Sequence, residues 1–190
     1  MSTAGRGKDA VRATYAWAFH SAPDAGSLVA LQLGQDEAAL AWGQGPEPEQ
    51  VAALPLGLRS LAGRYFPAGR LNALAIEAAI AEIEDSVMPW HGKLPPAAHL
   101  ISNDPAIAEL AAWAGMPDEG PWLLTTEAVE QLFSRWAALA QGRPASQDGL
   151  PTTGGFSVAL LVLREWLHHL SFDGITVHRP ATGSQIHDAG

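Results

Sequence analysis

The segment VALLVLREWLHHL, residues 158–170, is the most apolar run of the sequence and contains its only pair of adjacent histidines. At about 100° of rotation per residue, a helix here presents one broad apolar face formed by Val162, Leu163, Trp166, Leu167 and Leu170. Its first half is apolar on every side, which is typical of a helix surrounded by protein. We therefore expect a central buried helix over residues 158–170, with Ser157 as its N-cap.

The composition favours one globular domain that associates with itself. The chain has 190 residues, of which 47% are hydrophobic and only 16% are charged. A surface so poor in charge exposes more apolar atoms than usual, which promotes association. We expect flexible ends at residues 1–11 and 180–190 around a single domain at 12–179. We also expect a homodimer, and a protein partner is considered as well.

Charge, cysteine content and hydropathy exclude several classes of protein. The net charge of −9 argues against nucleic-acid binding, which needs clustered lysine and arginine. The absence of cysteine excludes disulfides and cysteine-ligated metals. No apolar run reaches the length of about 20 residues that a membrane span needs. These features predict a cytoplasmic protein without membrane contacts, and abundant alanine with few lysines suggests a bacterial source. No cofactor is indicated.

The order of the predicted elements indicates an α+β fold, with a mixed α/β arrangement as the alternative. Alternating aromatic residues predict a first strand at 12–20, and two more apolar segments predict strands at 28–33 and 38–42. Together they form an N-terminal three-stranded antiparallel meander. Helices with short intervening strands follow. The helices are expected at 48–65, 71–88, 105–115 and 126–141, and the strands at 98–102, 122–124 and 175–178.

A glycine-rich loop precedes the central helix and could bind an anion. The candidate residues are Thr152, Thr153, Gly154, Gly155 and Ser157. The first turn of a helix has free backbone N–H groups, and the neighbouring hydroxyls add further donors. The P-loop pattern and its lysine are absent, so the alternative is an ordinary loop with a serine cap.

The end of the central helix carries residues that could bind a metal. Glu165 and His168 form an E-x-x-H pair, a spacing found in metal-binding helix bundles. The other candidate ligands are His169, His178 and His91, and Glu77 and Glu84 could add carboxylates. The alternative is a helix end whose polar residues simply face water.

The sequence contains no motif that identifies a family. It also lacks a motif that marks a catalytic nucleophile, such as G-x-S-x-G. We therefore expect a non-catalytic accessory or interaction protein that self-associates. The alternative is an enzyme or a small-ligand or metal-binding domain. Its pocket is expected between the 142–157 loop, the C-terminal end of helix 158–170 and the 89–92 loop.

Overall fold

The computed structural model describes residues 3–22, 26–117, 120–141 and 149–178, with a six-stranded sheet at the centre. Helix α1 covers one face of the sheet, and helices α2 to α6 form the layer on the other. The helices are α1 Thr3–Ser21, α2 Leu58–Tyr65, α3 Ala73–Val87, α4 Pro105–Trp113, α5 Thr126–Ala140 and α6 Gly154–His169. The strands are β1 Leu28–Leu33, β2 Ala38–Gly43, β3 Gln50–Leu54, β4 His99–Ser102, β5 Trp122–Thr125 and β6 Gly174–Val177.

The sheet combines antiparallel and parallel pairing in the order β3-β2-β1-β4-β6-β5. Strands β1, β2 and β3 form the antiparallel meander. Strand β1 pairs in parallel with β4, and β4 pairs in parallel with β6. Strand β5 closes the far edge, antiparallel to β6. The predicted fold class, with an N-terminal meander followed by helices and short strands, is confirmed.

The prediction of a first strand at 12–20 is wrong, whereas the flexibility expected for residues 1–11 stays a prediction. From Thr3 to Ser21 the chain is one helix. Val11, Tyr15 and Ala18 are buried at helical spacing, whereas Trp17 is 44% exposed. The alternation of aromatic residues was therefore coincidental, and the alanines of this segment favour a helix.

The third strand of the meander is Gln50–Leu54, which lies inside the segment that was predicted to be helical from residue 48. Five backbone pairs join it to β2, from Ala38 with Leu54 to Trp42 with Gln50. Helix α2 begins only at Leu58, after Pro55. A short apolar segment has no periodicity of its own that distinguishes strand from helix, so pairing with β2 decides its structure.

Strand β1 separates two cores by the alternation of its side chains. Leu28 and Ala30 face α1, whereas Val29 and Leu31 face the larger helical layer. Small side chains, Ala30, Ala39 and Ala41, allow α1 to lie close to the sheet. The two cores sit on opposite faces because successive side chains of a strand point in opposite directions.

Helix α6 is the central element of the larger core, as the sequence predicts. It packs against α2, α3, α4 and α5. Every residue from Phe156 to Leu163 is buried. The helix begins four residues earlier than expected. Its N-cap is Thr153, whose hydroxyl accepts from the Phe156 N–H, rather than Ser157.

The other predicted helices and strands agree with the structure to within a few residues. Asn72, Asp104 and Thr125 cap α3, α4 and α5 with their side chains. The predicted tail at 180–190 lies outside the described residues. Among the helices of the described segments, none has the length and apolarity required to cross a membrane.

Candidate functional site

An open groove of about 540 Å³ lies at the N-terminal end of α6. Its walls come from helix α2, the turn after it and the segment that leads into α6. The lining residues are Arg59, Ala62, Gly63, Phe66, Pro67, Ala68, Gly69, Thr152, Thr153, Gly154 and Gly155. The groove therefore contains the glycine-rich segment that the sequence singles out.

The first residues of α6 supply hydrogen-bond donors to this groove. The Ser157 N–H already donates to the Thr153 carbonyl at 3.0 Å, and the Phe156 N–H donates to the Thr153 hydroxyl at 3.3 Å. The N–H groups of Gly154 and Gly155 precede the first possible intrahelical bond and stay free for another acceptor. The positive end of the helix dipole lies at the same point. This end of α6 therefore favours an anion.

Two glycines allow the chain to pass close enough to form the groove. A Cβ atom on Gly154 would lie only 2.7 Å from the Ala62 Cβ, so α6 starts in direct contact with α2. Gly69 has a φ of +69°, and a Cβ atom there would lie 2.6 Å from the Thr152 carbonyl oxygen. Side chains at these two positions would push the walls apart.

Arg59 gives the groove a positive charge. It is the only lining residue with a charged side chain among the described residues. Its guanidinium Nη1 is 3.5 Å from Asp36 Oδ1, and both side chains are well exposed. Among the described residues, this exposed pair is the one ion pair that holds the guanidinium. Such a pair contributes little in water, so the guanidinium can turn toward an anion in the groove.

A second groove of about 360 Å³ adjoins the first and shares Arg59 with it. It is formed by the β1–β2 turn and the start of α1, and its lining residues are Arg6, Gly7, Gly34, Gln35, Asp36, Glu37 and Arg59. Within the part of the chain that the structure describes, the Glu37 Oε1 atom is buried and has no hydrogen-bond partner. Two carboxylates thus lie near the arginine that both grooves share.

The structure brings four of the five predicted anion-binding residues together in the first groove: Thr152, Thr153, Gly154 and Gly155. Ser157 is fully buried instead, and its hydroxyl donates to the Thr153 carbonyl at 3.0 Å. Arg59 was missed from the sequence. Nothing in the local pattern of α2 distinguishes it from the other scattered arginines, and only the packing of α2 against α6 brings it here.

The predicted metal ligands are divided between two places. Glu165 and His169 lie together with Glu84 of α3. His168 is exposed beside them, with its ring 5.0 Å from that of His169. His91 is near too, but its Nδ1 lies 3.0 Å from the His169 carbonyl oxygen.

His178 is in a different environment. Its ring lies 4.3 Å from the Trp17 ring of α1, and burial lowers its pKa below the ordinary 6.5. On α6, the two candidate ligands that contact each other are Glu165 and His169, because side chains at i,i+4 spacing lie one above the other.

The sequence predicts a single pocket, whereas the structure has two separate sites. Helix α6 has 16 residues, so its ends are about 24 Å apart. The first groove lies at its N-terminal end. A cavity of about 460 Å³ at its C-terminal end is lined by residues of segments 90–98 and 170–172, which include Trp90, His91 and Gly92. Residues 142–148 of the predicted loop lie outside the described chain.

A buried carboxylate at the carboxyl ends of β1 and β4 has a structural role. Asp104 accepts hydrogen bonds from the N–H groups of Leu33 and Ala106, each at 2.8 Å. Burial raises its pKa above the ordinary 3.8, against the lowering effect of these donors. The side chain joins the end of β1 to the start of α4, because each of its two oxygens accepts one of these hydrogen bonds.

The domain thus belongs to the class of α/β proteins with a mixed sheet, and a groove suited to an anion lies beside its central helix. Solved structures that are similar to this fold include a Ppx/GppA phosphatase and an exopolyphosphatase. The Ppx/GppA phosphatase of Aquifex aeolicus, type II variant, superimposes with a TM-score of 0.74 at 14% identity, over 90% of this chain and 59% of that one. An exopolyphosphatase from Cytophaga hutchinsonii gives 0.63 at 14% identity, over 88% and 60%.

The chain spans about three-fifths of the length of these structures. At this identity the likeness establishes the fold. No protein-family model and no curated protein sequence matches the chain. The comparisons contradict the expectation of a non-catalytic accessory protein, because solved structures that share the fold include a phosphatase and an exopolyphosphatase. They favour the alternative of an enzyme or ligand-binding domain.

Proposed function

We propose that this chain is a domain of a phosphatase-type enzyme and that it binds a phosphate-bearing substrate in the groove at the start of α6. The observation that carries the proposal is that Arg59 lines the same groove as Gly154 and Gly155, whose N–H groups have no partner within the helix. Backbone donors at a helix N-terminus together with an arginine are the groups that proteins use to hold phosphate.

The shape of the groove supports a substrate with several phosphoryl groups. Its volume is about 540 Å³. The groove is open to solvent, so a chain of phosphates can lie in it with one end in solution. One of the solved structures that share the fold is called an exopolyphosphatase, a name that indicates a phosphoanhydride chain as its substrate.

The second groove supplies the carboxylates for proton transfer in this proposal. Phosphoanhydride hydrolysis needs a group that orients or deprotonates the attacking water. Among the described residues no carboxylate lines the first groove, whereas Asp36 and Glu37 line the second. Because Arg59 lines both grooves, a phosphate chain held by Arg59 would extend toward these two side chains.

The binding step is tested with two substitutions at one position, Gly155→Asp and Gly155→Ala. A Cβ atom on Gly155 meets nothing within 4 Å, so the position has room for the start of a side chain. An aspartate in the first turn stabilises a helix by about 0.3–1 kcal/mol but places a negative charge in the groove. We expect tripolyphosphate binding, measured by titration calorimetry, to be abolished in Gly155→Asp and retained in Gly155→Ala.

Equal binding by both Gly155 variants, or no binding of tripolyphosphate by the unmodified chain, would contradict the proposal. Hydrolysis is tested separately by phosphate release. We expect Asp36→Asn or Glu37→Gln to lower the rate while leaving tripolyphosphate affinity largely intact. The homodimer, the protein partner and the cytoplasmic location remain predictions from the sequence.

A further inference from the structure

A second cluster of ionisable groups lies at the opposite end of α6. Glu165 and His169 extend from the same face of α6, and Glu84 reaches them from α3. His169 Nε2 is 3.2 Å from Glu84 Oε1 and 3.3 Å from Glu165 Oε2. One donor atom from each residue lies within 4.8 Å of both others. The cluster thus offers one imidazole nitrogen and two carboxylate oxygens at a single point.

The distances in this cluster are those between neighbouring ligands of a metal ion. A tetrahedral ion with ligands at about 2.05 Å separates its donor atoms by about 3.3 Å. The two histidine–carboxylate distances of 3.2 and 3.3 Å match this edge. The two carboxylate oxygens lie within 4.8 Å of each other, so the adjustment that a bound ion requires is to bring this pair to the same spacing. A fourth position is then left open.

The surrounding charges favour a cation. The Glu165 side chain is 2% exposed, so its charge is removed from water and needs compensation. Arg164 donates to Glu165 Oε1 at 2.6 Å and to Glu130 Oε2 at 3.1 Å, and so it is shared between two carboxylates. Among the described residues of this region, Glu84, Glu130 and Glu165 thus carry three negative charges against the one positive charge of Arg164. A divalent ion bound with neutral His169 balances this excess.

The Arg164 contact also orients the buried ligand. With Oε1 of Glu165 held by the guanidinium, Oε2 is the atom that faces His169. A carboxylate fixed by a neighbouring hydrogen bond is a common feature of metal sites. Glu84 is 41% exposed, so the site is open to solvent on its α3 side. An ion can enter there, and water can occupy the fourth position.

We propose that Glu84, Glu165 and His169 form a binding site for a divalent transition-metal ion, with Zn²⁺ as the preferred ion. Imidazole together with two carboxylates suits Zn²⁺ better than Mg²⁺ or Ca²⁺, which select oxygen ligands alone. The site lies at the other end of α6 from the proposed phosphate groove, and it is independent of that function.

The test is titration calorimetry of the full chain, without a histidine tag and after treatment with a chelator, with Zn²⁺ as the probe. We expect one equivalent to bind, and Glu84→Gln and His169→Asn each to weaken binding at least tenfold. His168→Ala is the matched control, because it removes the adjacent exposed imidazole outside the cluster. We expect it to bind Zn²⁺ like the unmodified chain. Circular dichroism checks that each variant is folded.

Thermal unfolding gives a second readout, since an ion that binds only the folded chain raises the melting temperature. We expect Zn²⁺ to produce this shift in the unmodified chain and in His168→Ala, and not in Glu84→Gln. The proposal is overturned if the unmodified chain binds no Zn²⁺. It is also overturned if His168→Ala weakens binding as much as His169→Asn, because the ion would then sit on surface histidines.

Discussion

Replacing Leu163 by alanine tests whether α6 is the structural centre of the domain. Leu163 is fully buried in a helix that packs against four others. The substitution removes three carbon atoms, at about 0.8 kcal/mol for each buried methylene, or about 2.4 kcal/mol of transfer free energy. The cavity left among surrounding helices adds to this loss, so we expect a total cost of about 2–5 kcal/mol.

The free energy of unfolding is measured in urea with circular dichroism as the signal, and Leu123→Ala is the control. Leu123 lies on the edge strand β5 and is 58% exposed, so its truncation should cost about 1 kcal/mol or less. The dependence of the unfolding free energy on urea concentration should be the same in each variant as in the unmodified chain, because the surface exposed on unfolding is nearly the same. A cost below about 1 kcal/mol for Leu163→Ala, or a cost equal to that of Leu123→Ala, would refute the reasoning.

Two further results are expected. In the same urea assay, Gly154→Ala should destabilise the chain by about 1–3 kcal/mol through overpacking against Ala62. Gly63→Ala in α2 is the control, because its added Cβ atom meets nothing within 4 Å. It should stabilise the chain by up to about 1 kcal/mol. Because burial lowers the pKa of His178 in the folded chain, the unfolded chain takes up the proton first as the pH falls. The stability that His178 contributes above pH 6.5 is therefore lost below that pH, and unfolding free energies measured from about pH 7 to about pH 5 should fall more steeply for the unmodified chain than for His178→Gln. A parallel fall in both, or a rise in stability for Gly154→Ala, would contradict these expectations.

The sequence by itself determined the elements whose signals are local. The apolar run at 158–170 is long enough to identify a buried helix, and α6 is that helix. Asp104 followed by Pro105 marks the start of α4, because an aspartate cap and a proline in the first turn are both favourable there. The glycine-rich segment at 152–155 also has a local pattern, since glycines and hydroxyls at the start of a helix are visible in the sequence, although Gly154 and Gly155 are the first residues of α6 itself. These features depend on neighbours in the chain alone.

The tertiary structure decided the rest, because it depends on contacts between residues far apart in the sequence. The residues at 12–20 alternate like a strand, yet packing of Tyr15 on the sheet makes them part of α1. The short segment Gln50–Leu54 is a strand because β2 offers it an edge to pair with. In the same way, Arg59 lines one groove with the start of α6, and Glu84 meets Glu165 and His169, only through the packing of α2 and α3 on α6. Local propensity differs by less than about 1 kcal/mol per residue between such alternatives, so the larger free energy of burial and pairing determines which one forms.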